Sequence, residues 1–154
     1  MCEIPNDYDN SVYSFMRWDK ITNKSTKQYK LRKEYESYDE NGLGDIDGRK
    51  VIACTDTFGD IGDEIEVTFE NDVYYWNEES GTLFAVIGDF KSKNDSNCDD
   101  YGHLYTYDKK LDEYKQRCVI EFIVDNTVRN IKEIFPDLNK NPVIKIERTG
   151  INYL

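Results

Sequence analysis

Short apolar runs of strand length punctuate an otherwise polar, turn-rich chain. Lys50-Val51-Ile52-Ala53-Cys54 and Thr82-Leu83-Phe84-Ala85-Val86-Ile87-Gly88 are near-continuous hydrophobic segments, which read as interior strands when turn residues bound them. So is Arg117-Cys118-Val119-Ile120-Glu121-Phe122-Ile123-Val124-Asp125, predicted as one buried strand. Glu64-Ile65-Glu66-Val67-Thr68-Phe69-Glu70 alternates instead. Its period of two puts Ile65, Val67 and Phe69 on one face and the acids on the other. Asn71-Asp72 predicts a tight turn into Val73-Tyr74-Tyr75-Trp76, making a hairpin. Residues 143–147 complete the set.

Helical signals are confined to two places. Ser25-Thr26-Lys27-Gln28 has the hydroxyl-to-Gln spacing of a capping box and predicts a helix over about 26–37. Residues 130–135 predict a short helix that stops before Pro136. The expected fold is therefore mainly β, a six-stranded barrel-like sheet with two short peripheral helices. One domain of 154 residues is expected, with 1–24 as an arm or cover, 25–48 as helix and loop, and 49–148 as the barrel.

Charge narrows the range of partners. The net charge of -11 repels phosphate, so neither nucleic acid nor an anionic membrane surface is an expected partner. An acidic chain with 12 Tyr and 7 Phe suits neutral or amino-bearing ligands, with carbohydrate the common example. No apolar stretch approaches the ~20 residues that span a bilayer. Met1-Cys2-Glu3-Ile4-Pro5 lacks the basic start and apolar core of a secretory signal. Cytoplasmic synthesis is expected, with a final association with phage or cell wall left open.

Metal and cofactor sites are not expected. Cys2, Cys54, Cys98 and Cys118 show no CxxC spacing, which disfavours zinc. Cys54 and Cys118 sit in apolar runs and read as buried thiols. The acidic loop 39–48 has Leu43 at a ligand position and Lys50 in place of the closing Glu, so it is not an EF-hand. Asp95, Asn97, Asp99 and Asp100 read as a solvated loop.

Several of these segments together carry a resemblance. Val51-Ile52-Ala53-Cys54, Gly59-Asp60-Ile61-Gly62-Asp63, Val67-Thr68-Phe69-Glu70-Asn71, Ala85-Val86-Ile87-Gly88-Asp89-Phe90-Lys91, Gly102-His103 and Val119-Ile120-Glu121-Phe122-Ile123-Val124-Asp125 resemble a family of small Firmicute and phage proteins. Such proteins often stand beside cell-wall-degrading modules. The pattern, over roughly residues 20–148, is also similar to the double-psi β-barrels called 3D domains, found in lytic transglycosylases of the MltA type. That resemblance implies a double-psi-like barrel acting on peptidoglycan-like glycan, with an aspartate at the end of a barrel strand as acid/base and a second after a later strand. Asp89 and Asp125 match those two positions in kind. The family's Asp-Thr-Gly-Gly string is replaced by Asp89-Phe90-Lys91-Ser92.

Glycosidic cleavage needs a proton donor at the leaving oxygen, which a carboxyl in apolar surroundings supplies near neutral pH. Asp89, at the end of a buried strand and before Phe90, is the leading candidate. Asp125 and Asp56 are expected as neighbouring acids. His103, the sole histidine, and Lys91 are expected in support. Tyr74, Trp76 and Tyr105 are candidate sugar-stacking residues. The alternative is a noncatalytic, phage-associated structural or binding module for glycan or a protein partner, with Asp89 neutralised by Lys91.

Overall fold

The computed structural model describes residues 2–3, 14–71, 82–91, 104–136, 138 and 141–154, with 2–3, 104–108 and 113–118 described by their backbone alone. Ten strands and two short helices follow in chain order: β1 (Cys2–Glu3), β2 (Phe15–Arg17), α1 (Lys27–Tyr35), β3 (Asp45–Ile46), β4 (Arg49–Cys54), β5 (Asp63–Phe69), β6 (Thr82–Phe90), β7 (Leu104–Asp108), β8 (Glu113–Cys118), β9 (Glu121–Val124), α2 (Ile131–Ile134) and β10 (Val143–Asn152).

Seven of the strands lie side by side in the order β1-β10-β5-β6-β4-β9-β2, and β3 joins the edge of β4. The sheet is mixed. β4 runs parallel to β6, and β2 runs parallel to β9. The pairs β4/β9, β5/β6, β5/β10 and β1/β10 are antiparallel. β7 and β8 form a separate hairpin. Among the described residues the two outer strands of the path do not pair with each other, so the sheet is open. The expected mainly β architecture with two small helices is present. The six-stranded count is not, because strand closure and partner choice depend on long-range pairing that local hydrophobicity does not encode.

Central β4 explains itself. Val51, Ile52, Ala53 and Cys54 are all fully buried, as expected of an interior strand covered on both faces. β5 keeps its alternation, with Ile65, Val67 and Phe69 buried. The stretch expected as one strand over 117–125 is broken instead. β8 ends at Cys118, the backbone bends through Val119 and Ile120, and β9 begins at Glu121. Both bend residues are fully buried, so hydrophobicity continues across a break in hydrogen bonding. The second half of the expected hairpin, residues 73–76, lies outside the described residues.

Part of the expected arm belongs to the core. β2 extends the sheet beside β9, and Trp18 is completely buried, edge-on to Tyr38. α1 begins one residue later than the capping box suggested. The Thr26 hydroxyl accepts from the Tyr29 amide at 3.1 Å, whereas the Ser25 hydroxyl donates to Asn23. Gln28 is thereby released from capping. In the loop 39–48, Lys50 Nζ lies 2.6 Å from Asp39 and 3.4 Å from Asp45. The Lys50 ammonium thus ties together two acids of this loop.

One acid assigned to the polar face of β5 is buried. Glu64 is 3% exposed, accepts from Arg49 Nε at 2.8 Å and from the Tyr153 hydroxyl at 3.1 Å. This pair ties β4 to β5 and to the C-terminal residues. Arg49→Met should cost about 2 kcal/mol, below the 3–5 typical of an unpartnered buried charge because Tyr153 still donates. Denaturant melts at neutral pH measure it, and an unchanged midpoint would show that the pair is only a surface contact.

Candidate active site

The register around Ala53 brings two acids to one face. Ala53 pairs with Asp89 on β6 and with Glu121 on β9, so the row reads Asp89, Ala53, Glu121 across three strands. Side chains of residues paired in register share a face, and adjacent strands lie about 4.8 Å apart. The two acids therefore stand roughly two strand spacings apart with only a methyl group between them.

A bulge at Gly88 makes this row. Ile52 pairs with Ile87 but Ala53 pairs with Asp89, leaving Gly88 as the extra residue. Strict alternation would have placed Asp89 after Leu83, Ala85 and Ile87 on one face. The inserted residue switches Asp89 to the other face, as bulges near functional sites do. Only glycine fits there: a Cβ at position 88 would lie 2.4 Å from Val51 Cγ1 and 2.9 Å from Ile123 Cδ1.

Beyond the row, Lys91 continues the strand direction, with its amide donating to the Cys54 carbonyl at 2.8 Å. Its ammonium reaches 3.0 Å from Glu121 Oε2, and both side chains are mostly buried. That oxygen is shielded from solvent and accepts no well-directed hydrogen bond among the described residues, so the contact is an ion pair of imperfect geometry. Asp89 Oδ1 accepts from the Phe90 amide at 2.9 Å. The Gln28 side chain, on the first turn of α1, lies near enough to the Asp89 carboxyl to favour its charged form.

Burial dominates the electrostatics. It pushes the Asp89 carboxyl above the ordinary carboxylate range, against the opposing pull of the Phe90 amide, Gln28 and Lys91. It does the same to Glu121, where Lys91 opposes the shift and the Asp89 charge adds to it. Cys54 is fully buried, and desolvation, with Asp56 and Asp89 adding to it, pushes its thiol far up. A thiol in that state is inert as a nucleophile.

Asp56 follows β4 and lines a cavity of about 330 Å³ with Thr57, Phe58, Gly59, Asp60, Ile146 and Arg148. Lys27 Nζ contacts Asp60 at 2.7 Å, so the first turn of α1 is tied to the wall of this cavity.

Asp125 does not join this group. β9 runs antiparallel to β4, with Glu121 at the site end of the strand. Asp125 lies four residues further on, about 13 Å away at ~3.3 Å per residue. There its Oδ1 accepts from the Thr127 amide at 2.8 Å and the Thr127 hydroxyl at 2.6 Å, closing a turn against Gly42. The expected convergence of Asp89 and Asp125 is corrected: antiparallel strands deliver their C-terminal acids to opposite ends of a sheet. His103, Tyr74 and Trp76 lie outside the described residues. Tyr105 is placed by backbone in β7, opposite Gln116.

Glu121 and Gln28 are the residues that sequence reasoning missed. Glu121 carried a visible signal as the single charge inside the apolar run 119–124. Gln28 carried none, since its role depends on how α1 docks. Among the described residues no group of three His, Cys, Asp or Glu side chains is placed to hold a metal ion, and no helix is long and apolar enough to cross a membrane. No family model, curated protein or solved structure matches this chain.

Proposed function

We propose that this protein is glycan-active and cleaves peptidoglycan-like glycosidic bonds, with Asp89 as acid/base at the end of a strand in its mixed sheet. The observation that carries the reading is the half-buried Asp89 carboxyl, its proton affinity raised by desolvation, at the end of the parallel β4/β6 pair. The substrate class rests on the motif resemblance. Protonated Asp89 donates its proton to the glycosidic oxygen as the bond to the anomeric carbon breaks. A hydroxyl of the same sugar attacks that carbon, returns its proton to the carboxylate and leaves an anhydro end. One titrating carboxyl suffices for this sequence.

A noncatalytic glycan- or protein-binding module, phage-associated in the alternative reading, is favoured by a different observation. The Lys91–Glu121 pair neutralises charge inside the site, and the neighbouring cavity of about 330 Å³ is small for a polymer. Incubating the purified chain with cell-wall glycan from mildly acidic to neutral pH and weighing the products separates the two. Anhydro-ended fragments support the proposed reaction. Fragments with ordinary reducing ends would replace it with hydrolysis, and intact glycan at every pH would leave only the binding module.

A further inference from the structure

We infer that Glu121 is the second carboxylate of the Asp89 site, in the place expected of Asp125, with Lys91 as the cation the two acids share. Its chemistry rests on the proposed reaction, but its geometry does not. Three observations converge. Asp89 and Glu121 flank Ala53 in register on one face. The Lys91 ammonium stands 3.0 Å from Glu121 while also acting on Asp89. The Glu121 oxygen nearest that ammonium is buried and, among the described residues, has no well-directed hydrogen bond, so its charge is left for Lys91 to balance.

Among the described residues, Asp89 is acted on by the neighbouring Phe90 amide, by Gln28 from α1 and by Lys91 just past β6, and Glu121 by Lys91 and Asp89; Cys54, at the end of β4, feels the charges of Asp56 and Asp89. The Asp89 charge adds to the upward pull of burial on Glu121, so ionising one acid opposes ionising the other. In the proposed reaction Glu121 is a positioning residue. It holds the ammonium away from Asp89, which leaves Asp89 able to carry a proton.

Carboxyl-carbon NMR titration of the full chain tests this without any glycan. Glu121→Gln removes a like charge and frees Lys91 for Asp89, and both changes favour ionised Asp89. Its titration should move down by about one pH unit. Lys91→Met removes the shared cation and should move both carboxyls upward. Asp125→Asn should leave Asp89 where it is. An Asp89 curve unchanged in Glu121→Gln, or displaced as far by Asp125→Asn, would overturn the inference. Lys91 is partly exposed, so Lys91→Met provides a fold-tolerant second variant, and unmoved carboxyls there would also overturn it. Coupled titration in a protein that cleaves no glycan supports the shared pair and removes the reaction; cleavage with independent titrations does the reverse.

Discussion

Asp89→Asn should lower glycan cleavage by about 100- to 10,000-fold, the usual contribution of a positioned proton donor. Asparagine matches the carboxylate in size but has no proton to give at the leaving oxygen. The fold should survive, because the Phe90 amide can still donate to the side-chain oxygen. Stability supplies a second readout with a definite sign. Asp89 and Glu121 both bind protons more tightly in the folded chain than their ordinary values. The native state therefore holds more protons than the unfolded state in the window above those values, and stability falls as pH rises through it. Asp89→Asn should be more stable than the parent at neutral pH, with the gain vanishing once acidification protonates the carboxyl in both states. Denaturant melts at acidic and neutral pH follow this alongside the cleavage assay. Full cleavage by the variant would remove Asp89 from the chemistry.

Gly88→Val has the largest expected effect on the fold itself. A single added Cβ already approaches Val51 Cγ1 to 2.4 Å and Ile123 Cδ1 to 2.9 Å. Those neighbours, Val51 on β4 and Ile123 on β9, are both fully buried, where little can yield. Overpacking of a close-packed core costs typically 1–3 kcal/mol and occasionally more, and the branched valine should reach about 3 kcal/mol or above. Domains of this size are stable by about 5–15 kcal/mol, so the loss is a large part of the total. It should also disturb the bulge that turns Asp89 out of the buried set. A thermal melt indistinguishable from the parent's would show that β6 has room the packing does not reveal.

Much of the strand pattern was legible along the chain. The alternation at 64–70 placed Ile65, Val67 and Phe69 inward, and apolar runs marked β4 and β6. Such signals are local, because a strand must bury one face or both whatever it pairs with. Cys54 was legible as a buried thiol for the same reason. Glu64 was not read correctly. Alternation assigns a face but not what covers it, and here Arg49 and Tyr153 cover the face assumed to be solvent.

The site divides along the same line. An acid after a hydrophobic strand was visible at 89 and at 125, and the two looked equivalent in one dimension. The sequence by itself determined which segments are apolar and how strongly acidic the chain is, since these follow from composition and short-range period. Only the tertiary structure decided strand direction, the Gly88 bulge and the docking of α1. Those features placed Glu121 rather than Asp125 beside Asp89, because pairing direction and register are settled by contacts between segments remote in the chain.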